Sequence, residues 1–307
     1  MLKIYSIVVT YNGSKFIKDC FGSLINSKVI NHSILAIDNG SNDDTVSLIR
    51  KYFPQVEIIE NGKNLGFGKA NNIGLKKALN DNADYVFLLN QDAWLEGVDT
   101  LDKLIDLHQK NQDYGIISPI HLNKSGKIDE GFLNYISRDK NSLFLSNISE
   151  MPGNINLYSC NGINAAAWLI SKQCLEKIGG FMPLFYHYAE DDNYCQRVLK
   201  SGLKIGFASG IIIIHDRESR KTKYKLKDKI NKNYRKYLSV FTSINHKSFW
   251  DYLLFVFKNV MNIIWNYKKD PFKLLYLIVI IPMLIFNSFT IYNQRKKSKR
   301  IFPNFLK

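Results

Sequence analysis

The chain has 307 residues, 46% of them hydrophobic, and a formal net charge of +15. This composition excludes a disordered or fibrous chain, and the length suits one large domain with an appendage or two modest ones. A basic excess of this size fits nucleic acid, anionic lipid or an anionic substrate, and where the charge lies decides among them.

In chain order, Ile4 to Thr10 is a β-branched apolar run that ends in Tyr11-Asn12-Gly13-Ser14. The chain enters this strand at once, so no signal peptide is expected. Apolar residues at helical spacing follow, from Phe16 to Ile25. A second buried strand, Ser33 to Ile37, runs into the turn formers Asp38 to Thr45 and a helix over Val46 to Phe53. A third strand, Val56 to Glu60, leads to a loop with Gly62, Gly66 and Gly68 and then a helix through Leu79. The fourth, Tyr85 to Leu89, ends in Asn90, Gln91 and Asp92. Strands that alternate with helices and end in polar residues predict a mainly parallel sheet with a site along its carboxyl edge.

Several residues on that edge suit a nucleotide. Asp92 is placed either to hold a divalent cation beside substrate phosphates or to cap a turn. Asp38 suits a base N–H or ribose hydroxyl, or an Asx-turn around Asn39 and Gly40. The spaced glycines allow close backbone approach, and the helix after them favours phosphate. No Walker lysine pattern occurs, and no G-x-G-x-x-G follows the first strand, which counts against an NTPase or a dehydrogenase.

Farther on, the pattern predicts a helix over Leu101 to Gln109 and a strand over Tyr114 to Ile120. Lys124 to Pro152 reads as loops and hairpin strands over the site. Small residues from Ala165 to Ala167 lead into Trp168, as in a strand that something approaches closely. Glu190, Asp191 and Asp192 stand at the start of a helix reaching Lys200, where acids either complement the helix dipole or supply a general base. His215 ends the apolar run Gly210 to Ile214, as a turn residue or a metal ligand. The cysteines Cys20, Cys160, Cys174 and Cys195 have no paired or metal-like spacing and read as free thiols of a reducing compartment.

Taken together and in this order, six segments resemble the inverting family 2 glycosyltransferases: Val9-Thr10-Tyr11-Asn12, Ile37-Asp38-Asn39-Gly40-Ser41, Asn64-Leu65-Gly66-Phe67-Gly68, Leu89-Asn90-Gln91-Asp92, Gly179-Gly180-Phe181 and Glu190-Asp191. Within that family the likeness is to bacterial rhamnosyltransferase-type enzymes of surface polysaccharide synthesis. It covers about residues 4 to 240. It implies an α/β GT-A fold with a mainly parallel central sheet, a nucleotide-sugar donor, and Mg²⁺ or Mn²⁺. It further implies nucleotide contacts from Thr10, Tyr11, Asn12, Asp38, Asn64, Gly66, Asn90 and Gln91. Asp92 and His215 would hold the metal, Asp191 would be the general base, and Glu190 would touch the acceptor or its loop. Gln91 stands where many relatives have proline, and Asn193 where many have a second acid.

The expected domains are 1–240, the transferase, and 241–307, a helical, apolar and basic extension. Phe249 to Tyr267 is apolar and aromatic, and Leu274 to Tyr292 runs for nineteen residues without a charge. Basic residues flank the second run on both sides, including five of the six positions from Arg295 to Arg300. A single span would set one basic cluster on the outer side, so helices lying in the membrane interface, or a re-entrant pair broken near Pro282, are expected. The predicted protein transfers a sugar, dTDP-rhamnose being the first choice of donor and a UDP-hexose the second, to a lipid-linked or polysaccharide acceptor at the cytoplasmic face of the bacterial membrane. A catalytically degenerate membrane-surface binding protein is the reading from another class. Nucleic acid is not an expected partner, because the charge gathers near the apolar tail and not on the main domain.

Overall fold

The computed structural model describes residues 1–137, 154–217, 226–244, 254, 257–258, 261, 265 and 272–306. Its strands are β1 (Ile4–Thr10), β2 (His32–Asp38), β3 (Glu57–Glu60), β4 (Tyr85–Asn90), β5 (Ala93–Leu95), β6 (Tyr114–Leu122), β7 (Leu157–Ser159), β8 (Ala167–Ser171) and β9 (Lys204–His215). Its helices are α1 (Ile17–Ile25), α2 (Thr45–Tyr52), α3 (Phe67–Asn80), α4 (Thr100–Lys110), α5 (Glu130–Ile136), α6 (Lys172–Ile178), α7 (Glu190–Lys200), α8 (Leu226–Thr242), α9 (Phe272–Phe286) and α10 (Ser288–Ser298).

The nine strands form one sheet in the order β3-β2-β1-β4-β8-β6-β9-β5, with β7 pairing β9. β1, β2, β3 and β4 run parallel, as do β6 and β9. Strand alternation divides the core in two. Along β1 and β4, Tyr5, Ile7, Val86 and Leu88 face one cluster, while Ile4, Val8, Tyr85, Phe87 and Leu89 face the other. Both faces are therefore covered, which is why these strands read as continuous apolar runs. Every parallel pair needs a crossover, and α1, α2 and α3 supply those on the β3–β4 side. The loops at the carboxyl ends of β1, β2 and β4 consequently meet at one edge.

Two features depart from the sequence reading. The described part of the stretch expected as loops and hairpin strands contains helix α5, with Asp129 capping it by accepting from the Phe132 N–H at 2.7 Å. Phe132 and Ile136, spaced i and i+4, give it a buried face. The rest of that stretch, 138–152, lies outside the described residues. In addition, the strand ending at His215 begins at Lys204, longer than the apolar run suggested, with a register shift near Pro119 against β6.

By contacts the chain divides into two compact units, Met1–Arg220 with Ile301–Lys307, and Lys221–Arg300. The expected boundary at residue 240 falls within α8. In the first unit, Gly180 donates its N–H to the Asn304 carbonyl at 2.7 Å, and Leu306 joins the core. Gly179 has φ +75°, and a Cβ there would lie 2.2 Å from the Asn304 oxygen, so glycine meets both the turn and the close approach. In the second unit, Tyr237 and Ile280 pack with Ile230, Tyr234, Phe241 and Leu284. The uncharged run does not form one helix. Pro282 sits inside α9, and the break comes at Asn287, whose side chain donates to the Met283 carbonyl at 2.7 Å. Among the described residues, no helix is long and apolar enough to cross a membrane. Most of Phe249 to Tyr267 lies outside the described residues.

Candidate active site

The parallel edge opens on a cleft of about 460 Å³, with Tyr11, Asn39, Asn64, Gly66, Asn90, Gln91 and Asp92 on one side and Tyr186, Tyr188, Glu190 and Asp191 on the other. Of the eight residues expected at the nucleotide, five line the cleft (Tyr11, Asn64, Gly66, Asn90 and Gln91), and Thr10, Asn12 and Asp38 do not. Asp38 is buried, and its four acceptor positions are taken by its own surroundings. Oδ1 accepts from Thr10 Oγ1 at 2.9 Å and Ser41 Oγ at 2.6 Å, while Oδ2 accepts from Gly40 N at 3.0 Å and Ser41 N at 2.9 Å. This carboxylate organises the turn after β2. Its neighbour Asn39 lines the cleft and accepts from Asn61 Nδ2 at 3.0 Å, which ties β2 to the glycine loop. Thr10 and Asn12 likewise serve the scaffold, Asn12 joining two loops through Ser41 Oγ at 3.0 Å and Asn42 N at 2.8 Å.

Gln91 does more than replace a proline. Its Oε1 accepts from Tyr11 N at 2.9 Å and its Nε2 donates to Tyr11 O at 3.1 Å, so one side chain clamps the β1 loop to the end of β4. Asn64 Oδ1 accepts from Gly66 N at 2.9 Å and shapes the entry to α3. Gly66 has φ +85°, and a Cβ there would come within 2.1 Å of the Tyr186 carbonyl oxygen. The glycine lets this loop and the Tyr186 segment close on each other. The N-terminus of the fourteen-residue α3 lies beside this loop, a backbone setting that favours phosphate.

The opposite wall is aimed by strained backbone. Tyr188 and Ala189 adopt φ 68° and 70°, an uncommon conformation outside glycine, and α7 starts immediately after them. The turn brings Glu190 and Asp191 into the cleft. Asp191 Oδ2 accepts from the Tyr135 hydroxyl at 2.8 Å, and Oδ1 accepts from Asp192 N at 2.9 Å. Burial first, then the Asp192 carboxylate, pushes the Asp191 carboxyl up to about 6. Asn193 is buried and accepts from Arg197 Nε at 3.2 Å, a role inside the helix packing and not in the cleft.

Asp92 and His215 are 123 positions apart and come together because β5 pairs antiparallel with the end of β9, Ala93 opposite His215. The Asp216 N–H also donates to the Asp92 carbonyl at 2.8 Å. His215 Nε2 lies 3.5 Å from Asp92 Oδ1, and Asn90 Nδ2 sits 3.4 Å from the same nitrogen. Asp129 Oδ2 stands 3.9 Å from Nδ1, an ion-pair separation beyond hydrogen-bond reach. A carboxylate beside an imidazole is a donor set that fits a divalent cation. Among the described residues, no group of three or more His, Cys, Asp or Glu is spaced to hold an ion. The neighbouring His121 is held neutral: burial, followed by His215 and Arg217 nearby, takes it well below the usual histidine range.

The sequence reading missed Asn39, Asn164, Tyr186, Tyr188 and Arg217 on the cleft wall, and Asp129 and Tyr135 behind it. For α5 a signal existed, since Asp129 and Glu130 begin a helix whose apolar positions fall at 132, 133 and 136. Nothing local marks Tyr135 as a neighbour of Asp191.

Comparison with known proteins agrees with this geometry. The family model described as "Glycosyl transferase family 2" matches residues 6–160. The low-salt glycan biosynthesis hexosyltransferase Agl10 of Haloferax volcanii is 26% identical over 248 residues, 79% of this chain and 76% of that protein. The dTDP-rhamnosyl transferase RfbF of Shigella flexneri is 25% identical over 216 residues, 69% of this chain and 68% of that one. Among solved structures, the mannosyltransferase PcManGT from Pyrobaculum calidifontis, in complex with GDP-Man and Mn²⁺, superposes with a TM-score of 0.58 at 16% identity. The superposition covers 80% of this chain and 65% of that longer one, a likeness of fold.

Proposed function

This chain belongs to glycosyltransferase family 2, and we propose that it is an inverting transferase that moves a hexose from a nucleotide-diphosphate donor to the hydroxyl of a lipid-linked or polysaccharide acceptor. The observation that carries this reading is the convergence, on one cleft, of a carboxyl-edge nucleotide wall, Asp92 with the buried His215 behind it, and the partly buried Asp191.

Asp191 in its ionised form accepts the proton of the acceptor hydroxyl. The hydroxyl oxygen bonds to the anomeric carbon from the face opposite the leaving group. The bond from that carbon to the phosphate oxygen breaks, and the nucleoside diphosphate departs with its electron pair. The configuration inverts in one displacement. Asp92 and His215 would hold Mg²⁺ or Mn²⁺, whose charge offsets the negative charge developing on the diphosphate. Arg217, on the cleft wall, adds a guanidinium on the same side as His215.

dTDP-rhamnose is the first choice of donor, supported by the likeness to the Shigella dTDP-rhamnosyl transferase. The second unit would rest on an anionic membrane surface at the cytoplasmic face. Ile278, Ile285, Phe286 and Phe289 are exposed in α9 and α10, and Arg295, Lys296 and Lys297 close α10. Exposed apolar side chains beside a basic cluster match the headgroup boundary of such a bilayer.

The testing experiment is calorimetric binding of a panel of nucleotide sugars, with and without Mn²⁺ or Mg²⁺. Metal-dependent binding of dTDP-rhamnose supports the donor and the Asp92 assignment together. Selective binding of a UDP-hexose replaces the donor and keeps the reaction. Absence of any nucleotide binding overturns the reading and favours a degenerate, membrane-binding protein.

A further inference from the structure

Helix α5 and its cap lie behind the cleft, near His215 and Arg217 at one end and against Asp191 at the other. At its start, Asp129 caps it, lies 3.9 Å from His215 Nδ1 and 3.7 Å from Arg217 Nε, and is buried. The Asp129 N–H also donates to the His121 carbonyl at 2.9 Å. Phe132 packs its ring 4.5 Å from that of His121 and 5.8 Å from that of Phe207, and Ile136 is fully buried. Six residues after Asp129, roughly 9 Å along a helix axis, Tyr135 donates its hydroxyl to Asp191 Oδ2 at 2.8 Å. The helix cannot slide or turn without breaking its cap or its core contacts, so the Tyr135 hydroxyl is fixed where it stands.

We infer that Tyr135 is a positioning residue for the general base, holding Asp191 Oδ2 from a separate, rigid element so that the carboxylate keeps one orientation toward the acceptor hydroxyl. The inference rests on the reading of Asp191 as the base. A hydrogen bond given to a carboxylate favours its charged form, so Tyr135 also opposes the forces that protonate Asp191. Those forces come from burial and from Asp192 on the same helix. The other titratable groups here are Glu190 from α7, Cys195 one turn further along α7, Tyr186, His187 and Tyr188 from the turn before it, and Asp92 and Arg217 on the cleft wall. None of them replaces a donor that reaches Oδ2 from α5.

The test is Tyr135→Phe, which removes one oxygen and keeps the ring. Carboxyl-¹³C aspartate labelling follows the titration of Asp191 by NMR in the full chain, its signal identified by disappearance in Asp191→Asn. The expected result is an upward move of the Asp191 midpoint by about one pH unit, the size of losing one hydrogen bond to a charged group. Consumption of the nucleotide sugar that the calorimetric panel selects should then show a defect of about tenfold below the midpoint that shrinks as pH rises. A merely structural role would lower the rate equally at every pH. An unchanged midpoint, or a pH-independent defect, overturns the inference. Unimpaired turnover by Asp191→Asn, with the Tyr135→Phe midpoint still displaced, instead removes the base assignment and leaves the Tyr135–Asp191 bond standing.

Discussion

The two walls of the cleft are built in different ways. The nucleotide wall is made of loops that follow β1, β2, β3 and β4, and the parallel pairing sets them side by side. The opposite wall joins parts with no sequential relation: the strained Tyr186–Ala189 turn, α7, α5 and the end of β9. The first wall shares its support among four parallel strands. The second has single supports, so each bond there has a larger effect. Glycine is the exception that couples them, since Gly66 is the point where the Tyr186 carbonyl closes against the donor loop.

Substitutions can break this contrast, beginning with the largest effect. Asp191→Asn should lower transfer by between about a hundredfold and ten-thousandfold, the range for removing a general base, while nucleotide affinity measured by calorimetry stays within about twofold. Equal losses of affinity and turnover would mean that the base wall also builds the donor wall. In the unaltered protein, Asp191 is pushed up to about 6, and only its ionised form accepts a proton. The rate should therefore fall about tenfold per unit below pH 6 and level off above it, as read from a pH–kcat profile.

Gly66→Ala tests the coupling point. The methyl meets a backbone oxygen and the residue is forced into a left-handed conformation, which together should cost about 1–3 kcal/mol in thermal or chemical unfolding. Both nucleotide affinity and turnover should suffer, because the donor loop and the Tyr186 segment must part. Loss of stability with both functions intact would show that the contact is not used. Gln91→Ala should have the smallest effect. It removes two hydrogen bonds to Tyr11 at an exposed edge, about 1 kcal/mol in unfolding, with a fewfold weaker nucleotide affinity and unaltered pH dependence.

How much was legible in the sequence follows the same division. The strands β1, β2 and β4 were visible because burial on both faces demands unbroken apolar runs, and their polar ends marked the cleft directly. Asp38 was legible as a residue of that edge, but its side chain turned out to be spent on Thr10, Gly40 and Ser41, while Asn39 beside it faces the cleft. Strand alternation explains the difference: one step along the backbone reverses the direction of a side chain. Helix α5 was missed despite its cap and apolar spacing because it is one short helix within a polar stretch of sequence rich in Asn and Ser.

By itself the sequence determined the alternation of β1 to β4 with their helices and the six segments that carry the likeness to the family, and it offered Asp92 and Asp191 as candidate acids. Those properties are local: each depends on hydrophobic period, turn chemistry or a residue's own ionisable group. The tertiary structure alone decided that His215 stands 3.5 Å from Asp92, that Tyr135 reaches Asp191, and that residues near 304 support Gly179 and Gly180. Each of these pairs is separated by more than fifty residues. Their meeting depends on sheet register and helix packing, which arise from the summed burial of the whole core and leave no mark at either member of the pair.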